Sequence, residues 1–173
     1  MKNEIFHCVY VIMGVSGCGK TSIGTALADQ LNIDFLEGDE FHSMENKKKM
    51  SRGIPLSEND RRGWLEQLHS QLINTKGSVV LACSALKSTY RKMLCVNQKK
   101  TAFIHLLASN EALKKRLLTR TGHFFNPLLL DDQLKTLECL QKNEIGFSVN
   151  AEQKVETAVL EIIENLKHAH LLK

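Results

Sequence analysis

Gly14 and Gly19, with four residues between them, stand directly before Lys20 and Thr21. The octet Gly14, Val15, Ser16, Gly17, Cys18, Gly19, Lys20 and Thr21 fits the pattern G-x-x-x-x-G-K-[ST] throughout. Glycines permit backbone angles closed to other residues and let amide N–H groups close on phosphate oxygens. A helix starting at the end of the octet adds the positive end of its dipole. Lys20 is then placed to bridge the β- and γ-phosphates of ATP, and the Thr21 hydroxyl to hold Mg²⁺. A chance match in a glycine turn is the alternative, and the position of the octet between a buried strand and a helix start argues against it. Cys18, a small side chain inside the loop, needs no redox role.

A phosphate loop alone does not separate a kinase from a GTPase or a motor. No N-K-x-D guanine-reading motif occurs, and the apolar run "SVVLAC" ends in Cys83 and Ser84 rather than in an acid. The acid that closes the second strand candidate is Asp39, a placement that points to a small-molecule kinase. A hydroxyl acceptor needs a carboxylate to orient or deprotonate it, and Asp39 is the candidate, with a second role on Mg²⁺ through water. A turn aspartate at a strand end is the plainer reading. His42, three residues on, is either a partner for a polyol or a helix-start residue.

Lys87 and Arg91 follow the third strand candidate, at the strand end where open α/β sheets bind ligands. Four residues apart, they are expected to share a helix face and to meet an acceptor carboxylate, unless they form a solvated basic face. Arg116 and Arg120, again one turn apart, precede Gly122 and Pro127, which bound a candidate lid. A kinase must exclude water from the γ-phosphate, and Arg120 is the candidate for reaching the nucleotide from that lid. Phe124 and Phe125 read as hydrophobic anchors.

These residues need a scaffold, and the chain alternates apolar runs with helix-periodic segments, the pattern of a parallel sheet flanked by helices. Strand candidates are 8–13, 33–39, 78–83, 102–107 and, more weakly, 145–149. Ile23, Ala26, Leu27 and Leu31 recur at helical spacing after the loop. Ser57 with Asp60 resembles a capping box ahead of Leu65, Leu68 and Leu72. Ser109 is expected to cap a helix carrying Leu113 and Leu117, and Asn150 with Gln153 to open the last helix, with Val155, Val159, Ile162, Ile163 and Leu166 as its inner stripe.

The 173 residues fit one domain, and 43% hydrophobic with 24% charged residues is a globular balance. A net charge of +4 suits anionic small molecules but not a dedicated nucleic-acid binder. The run Lys47 to Lys49 lacks interleaved aromatics and reads as a solvated helix face, although Arg52 and Arg61 are within reach of an anionic substrate. Five scattered cysteines without a C-x-x-C pair exclude a disulfide framework or zinc site and fit a reduced cytoplasm. The N-terminal apolar run is too short for a signal peptide or membrane span.

The segments "MGVSGCGKT", "GDEFHSMENKKKMSRGIPLSENDR", "WLEQLH", "VVLACSALKSTYR" and "LLLDDQLKTLE" together resemble the gluconate kinases of the shikimate/adenylate-kinase-like P-loop group. The resemblance runs from the first strand to about residue 140. It implies an α/β three-layer sandwich around a five-stranded parallel sheet, with an acceptor-binding insert at about 40–62 and a lid at about 120–135. It further implies ATP-dependent phosphorylation of D-gluconate at its 6-hydroxyl by a frequently dimeric enzyme. By matching position, Gly14 to Thr21 would bind ATP, Asp39, His42, Lys87 and Arg91 would face gluconate, and Arg120 would serve the nucleotide. Ser43, Gly63, Asp132 and Cys139 depart from the usual residues of that pattern. Shikimate or a nucleoside monophosphate is the rival acceptor, and a nucleotide-dependent RNA-binding module is the rival of another class.

Overall fold

The computed structural model describes residues 7–119 and 126–172. Five strands form one parallel sheet: β1 (Cys8–Met13), β2 (Asp34–Glu37), β3 (Val79–Ala82), β4 (Lys100–Leu107) and β5 (Gly146–Asn150). Their order is β2-β3-β1-β4-β5, so the strand entering the phosphate loop is central. The helices are α1 (Lys20–Leu31), α2 (Met44–Ser51), α3 (Glu58–Asn74), α4 (Ser88–Leu94), α5 (Asn110–Thr119), α6 (Leu130–Thr136) and α7 (Val155–His168).

β1 and β3 are apolar on both faces because helices cover both faces of the sheet. Side chains alternate along a strand, and β1 divides its residues accordingly. Cys8, Tyr10 and Ile12 join one core with Ile23 and Leu27 of α1 and Ile162 and Leu166 of α7. Val9, Val11 and Met13 join the other with Trp64, Leu65, Leu68 and Leu72 of α3 and Leu94 of α4. Each of these large side chains contributes about 1.5–3 kcal/mol by leaving water.

The expected strands and most of the caps are present. Ser57 and Asp60 close a complete capping box on α3, and the Ser109 hydroxyl accepts the Ala112 N–H at 3.2 Å. Ser43, where the family pattern has another residue, caps α2 by accepting the Asn46 N–H at 3.1 Å. One expectation fails. α7 begins at Val155 behind Lys154, without a side-chain cap. Asn150 instead ends β5 and accepts the Glu152 N–H at 2.9 Å, a local turn that spends its side chain before the helix begins.

Candidate functional site

β1 delivers the loop to the start of α1, and Gly19 stands at the entry with φ 102, a left-handed angle that a side chain would strain. Lys20 donates to the Val15 carbonyl at 3.2 Å, curling its ammonium over the loop. Cys18 is fully buried, and burial raises its thiol pKa, so it stays protonated and packs as an apolar group. The loop is tied to the end of β3 by a bond from Gly14 N–H to the Ser84 carbonyl at 3.3 Å.

Two cavities meet at this loop. The wider, about 290 Å³, runs along Ser16–Ile23 to Arg116 and to Ala151, Gln153 and Val155 beyond β5. The narrower, about 50 Å³, lies between the loop and the segment after β2, and is lined by His42, Pro55, Leu56, Arg61, Trp64, Ser84 and Gln133 among others. Ser16, Lys20 and Asp39 line both.

Asp39 sits in a 3-10 turn, Gly38–Phe41, directly after β2. A Cβ on Gly38 would collide with the Ala82 carbonyl of β3, so only glycine lets the chain pass here and bring Glu37 and Asp39 to the loop. Trp64 Nε1 donates to the Gly38 carbonyl at 2.8 Å and fixes the turn. Thr21 Oγ1 donates to Glu37 Oε2 at 2.6 Å, and burial, chiefly, raises the Glu37 carboxyl pKa. In the sequence Glu37 reads as an ordinary strand residue. Its signal was the acid-glycine-acid spacing of Glu37 and Asp39.

His42 Nε2 lies 3.9 Å from Asp39 Oδ1. The imidazole side chain is 4% exposed. Burial, reinforced by the cationic Lys47 and Arg61 and opposed by Asp39, lowers its pKa to about 4. The ring is therefore neutral at pH 7, and its buried Nδ1 has no hydrogen-bond partner.

Lys87 and Arg91 do not share a face. Lys87 is the N-cap of α4 rather than part of it. Its ammonium pairs with Glu58 at 2.6 Å and lies over the Tyr90 ring at 5.6 Å, outside the residues lining the narrow cavity. Arg91 is wholly buried and points inward. It forks onto Glu144 at 2.6 and 2.9 Å and donates to the carbonyls of Ala85, Leu86, Glu138 and Cys139. With every N–H engaged, Arg91 has none left for an acceptor, so its expected place facing gluconate is corrected. It fastens the turn through Ala85, which holds a left-handed φ of 44 between the cavity residues Ser84 and Leu86.

Besides Lys20, the cation lining the narrow cavity is Arg61, which lies 5.9 Å from the Tyr90 ring centroid. In the wide cavity Lys20 is joined by Arg116, which donates to the Gly17, Cys18 and Ala151 carbonyls. Arg120 and Gly122 lie outside the described residues. Among the described residues no cluster of three or more His, Cys, Asp or Glu is arranged for a metal, and no helix is long and apolar enough to cross a membrane.

Residues 16–167 match the family model described as shikimate kinase. A probable gluconokinase of Dictyostelium discoideum is 43% identical, with 91% of this chain and 84% of that protein covered. The thermoresistant gluconokinase of Escherichia coli K12 is 36% identical, over 93% of this chain and 94% of its own. The crystal structure of a gluconokinase from Sinorhizobium meliloti 1021 superimposes with a TM-score of 0.84 at 40% identity, covering 95% of this chain and 94% of that one. A nucleotide-phosphate loop, a carboxylate where two cavities meet and likeness along nearly the whole chain lead to one conclusion: this protein belongs to the gluconokinases, within the shikimate kinase family of P-loop kinases.

Proposed function

We propose that the chain transfers the γ-phosphoryl group of ATP to the 6-hydroxyl of D-gluconate, giving 6-phospho-D-gluconate and ADP. One observation carries the reading: Ser16, Lys20 and Asp39 border both cavities, so a nucleotide in one and a polyol in the other meet at the same three residues. The relatives named gluconokinases supply the acceptor's identity.

The residues Gly14 to Thr21 hold the nucleotide phosphates, Lys20 spans the β- and γ-phosphates, and Arg116 adds a cation on the nucleotide side. Arg120, in the proposed lid at about 120–135, serves the nucleotide. Mg²⁺ fits the oxygen donors at the loop, because Thr21 Oγ1 touches the Glu37 carboxylate and Asp39 shares the cleft, and this ion needs only one or two carboxylates beside phosphates. When bound it neutralises charge on the β- and γ-oxygens.

On the acceptor side, Asp39 takes the hydrogen bond of the 6-hydroxyl and aims its oxygen in line with the γ-phosphorus. His42, neutral, offers ring nitrogens to further hydroxyls. Arg61 and Lys87 supply positive charge for the carboxylate, Arg61 from inside the cavity and Lys87 after exchanging Glu58 for the substrate. The acceptor oxygen bonds to phosphorus, the bond to the β–γ bridging oxygen breaks, and ADP leaves with that electron pair.

One P-loop kinase domain over 1–173, with the acceptor insert at about 40–62, works in the cytoplasm on a small molecule, without nucleic acid or membrane; a homodimer is the assembly that the family resemblance implies. Comparing ATP consumption with gluconate, shikimate, glycerate and AMP tests it. Gluconate alone should stimulate turnover; equal rates with and without gluconate would refute the assignment.

A further inference from the structure

Gln133 of α6 reaches the phosphate loop: its Oε1 accepts the Ser16 N–H at 2.6 Å. A backbone N–H is a donor only, so this bond fixes which end of the amide faces the loop and turns the NH₂ away from Ser16. That NH₂ has no partner among the described residues. Gln133 lines the narrow cavity together with Ser16, Lys20 and Asp39, the residues where nucleotide and acceptor meet.

The mount of this side chain matters as well. α6 follows residues 126–129, and Leu129 packs with Met50 and Leu56 of the acceptor insert. The Asn126 N–H donates to the Met50 carbonyl at 3.3 Å. The amide is thus held at one end by the phosphate loop and carried at the other by the wall of the acceptor cavity.

We propose that Gln133 is a further catalytic residue of the transfer, donating from Nε2 to the γ-phosphoryl oxygen that faces the acceptor. The inference rests on the phosphoryl-transfer reading above. Negative charge spreads over the equatorial oxygens as the acceptor oxygen approaches and the bond to ADP breaks. A donor already fixed in place stabilises that charge without reorganising. The acceptor's proton passes through Asp39 to solvent, and Gln133 gains and loses none.

Two variants separate this role from simple anchoring of the loop. Gln133→Glu keeps an oxygen for the Ser16 N–H but has no donor; Gln133→Met loses both. With wild-type gluconate phosphorylation measured first, so that failure of the parent reading shows separately, kcat should fall about 100-fold in Gln133→Met. The KM for gluconate and the Kd for a nonhydrolysable ATP analogue should stay within about threefold of wild type in that variant. Gln133→Glu should lose at least as much kcat. If Gln133→Glu keeps wild-type kcat, or if the Met loss lies wholly in KM or Kd, the proposal is wrong. Should one variant fail to fold, the kcat of the other decides.

Discussion

The imidazole of His42 lies flat on the indole of Trp64, with ring centroids 4.1 Å apart and planes 18° from parallel. The indole also ties down the Gly38 carbonyl, so one aromatic side chain positions both the histidine and the turn that carries Asp39. A ring held this way loses its hydration, and a neutral imidazole is the consequence.

Stability should therefore depend on pH through His42. In the unfolded chain this histidine takes up a proton near its ordinary value of 6.5, and in the folded one only near 4. Between those values the unfolded state binds more protons, so stability is full above pH 6.5 and declines as the pH falls to 4. The separation corresponds to roughly 3 kcal/mol at most. Melting temperatures of wild type and His42→Gln across this range should converge toward acid, and parallel curves would show that the imidazole is solvated.

The acceptor carboxylate has two cations to choose from. Lys87 is already paired with Glu58, whereas Arg61 lines the cavity itself. Arg61→Met should raise the gluconate KM about tenfold or more, equivalent to ~1.4 kcal/mol or greater, and leave the ATP KM nearly unchanged. Lys87→Met should raise it less, because Lys87 must give up its bond to Glu58 to reach the substrate and so contributes little net. Steady-state kinetics of both variants check the order, and a larger effect at Lys87 would reverse it.

Arg91 and Glu144 form a buried pair, the arginine wholly enclosed and the carboxylate side chain 10% exposed. Removing one member leaves the other charged and unpaired, a loss of about 3–5 kcal/mol. Glu144→Ala should accordingly lower the denaturation midpoint sharply. A midpoint like that of wild type would mean that solvent reaches the guanidinium.

Gly63 lies within α3, and a Cβ there would meet nothing within 4 Å. Glycine in a helix interior is less favourable than alanine by about 0.8–1 kcal/mol. Gly63→Ala should raise stability by that order without altering turnover, as urea unfolding and the gluconate assay would report. A destabilised variant would indicate that this helix face is covered in the native assembly.

What the sequence could and could not reveal follows from the range of each interaction. The strands and the α3 cap rest on residues close together in the chain, such as Ser57 and Asp60, and all were readable. The phosphate loop was readable because its pattern has a fixed spacing, and the place of Asp39 because it follows directly on a strand. Arg91 was not: its partner Glu144 lies 53 residues away, and nothing local shows that the side chain turns inward. A spacing of four puts Lys87 and Arg91 on one face only if both lie inside a helix, and α4 begins one residue after Lys87. Gln133 meets Ser16 across 117 residues, a contact that no periodicity announces.

The strand order places β1 in the middle, with β3 and β2 to one side and β4 and β5 to the other. The narrow cavity draws His42, Arg61 and Trp64 from between β2 and β3 and Ser84 and Leu86 from beyond β3, but Leu129, Asp132 and Gln133 from between β4 and β5. Redesign of the molecule for a different alcohol therefore has to change residues on both halves of the sheet together, since Leu129 packs against Met50 and Leu56 across the two.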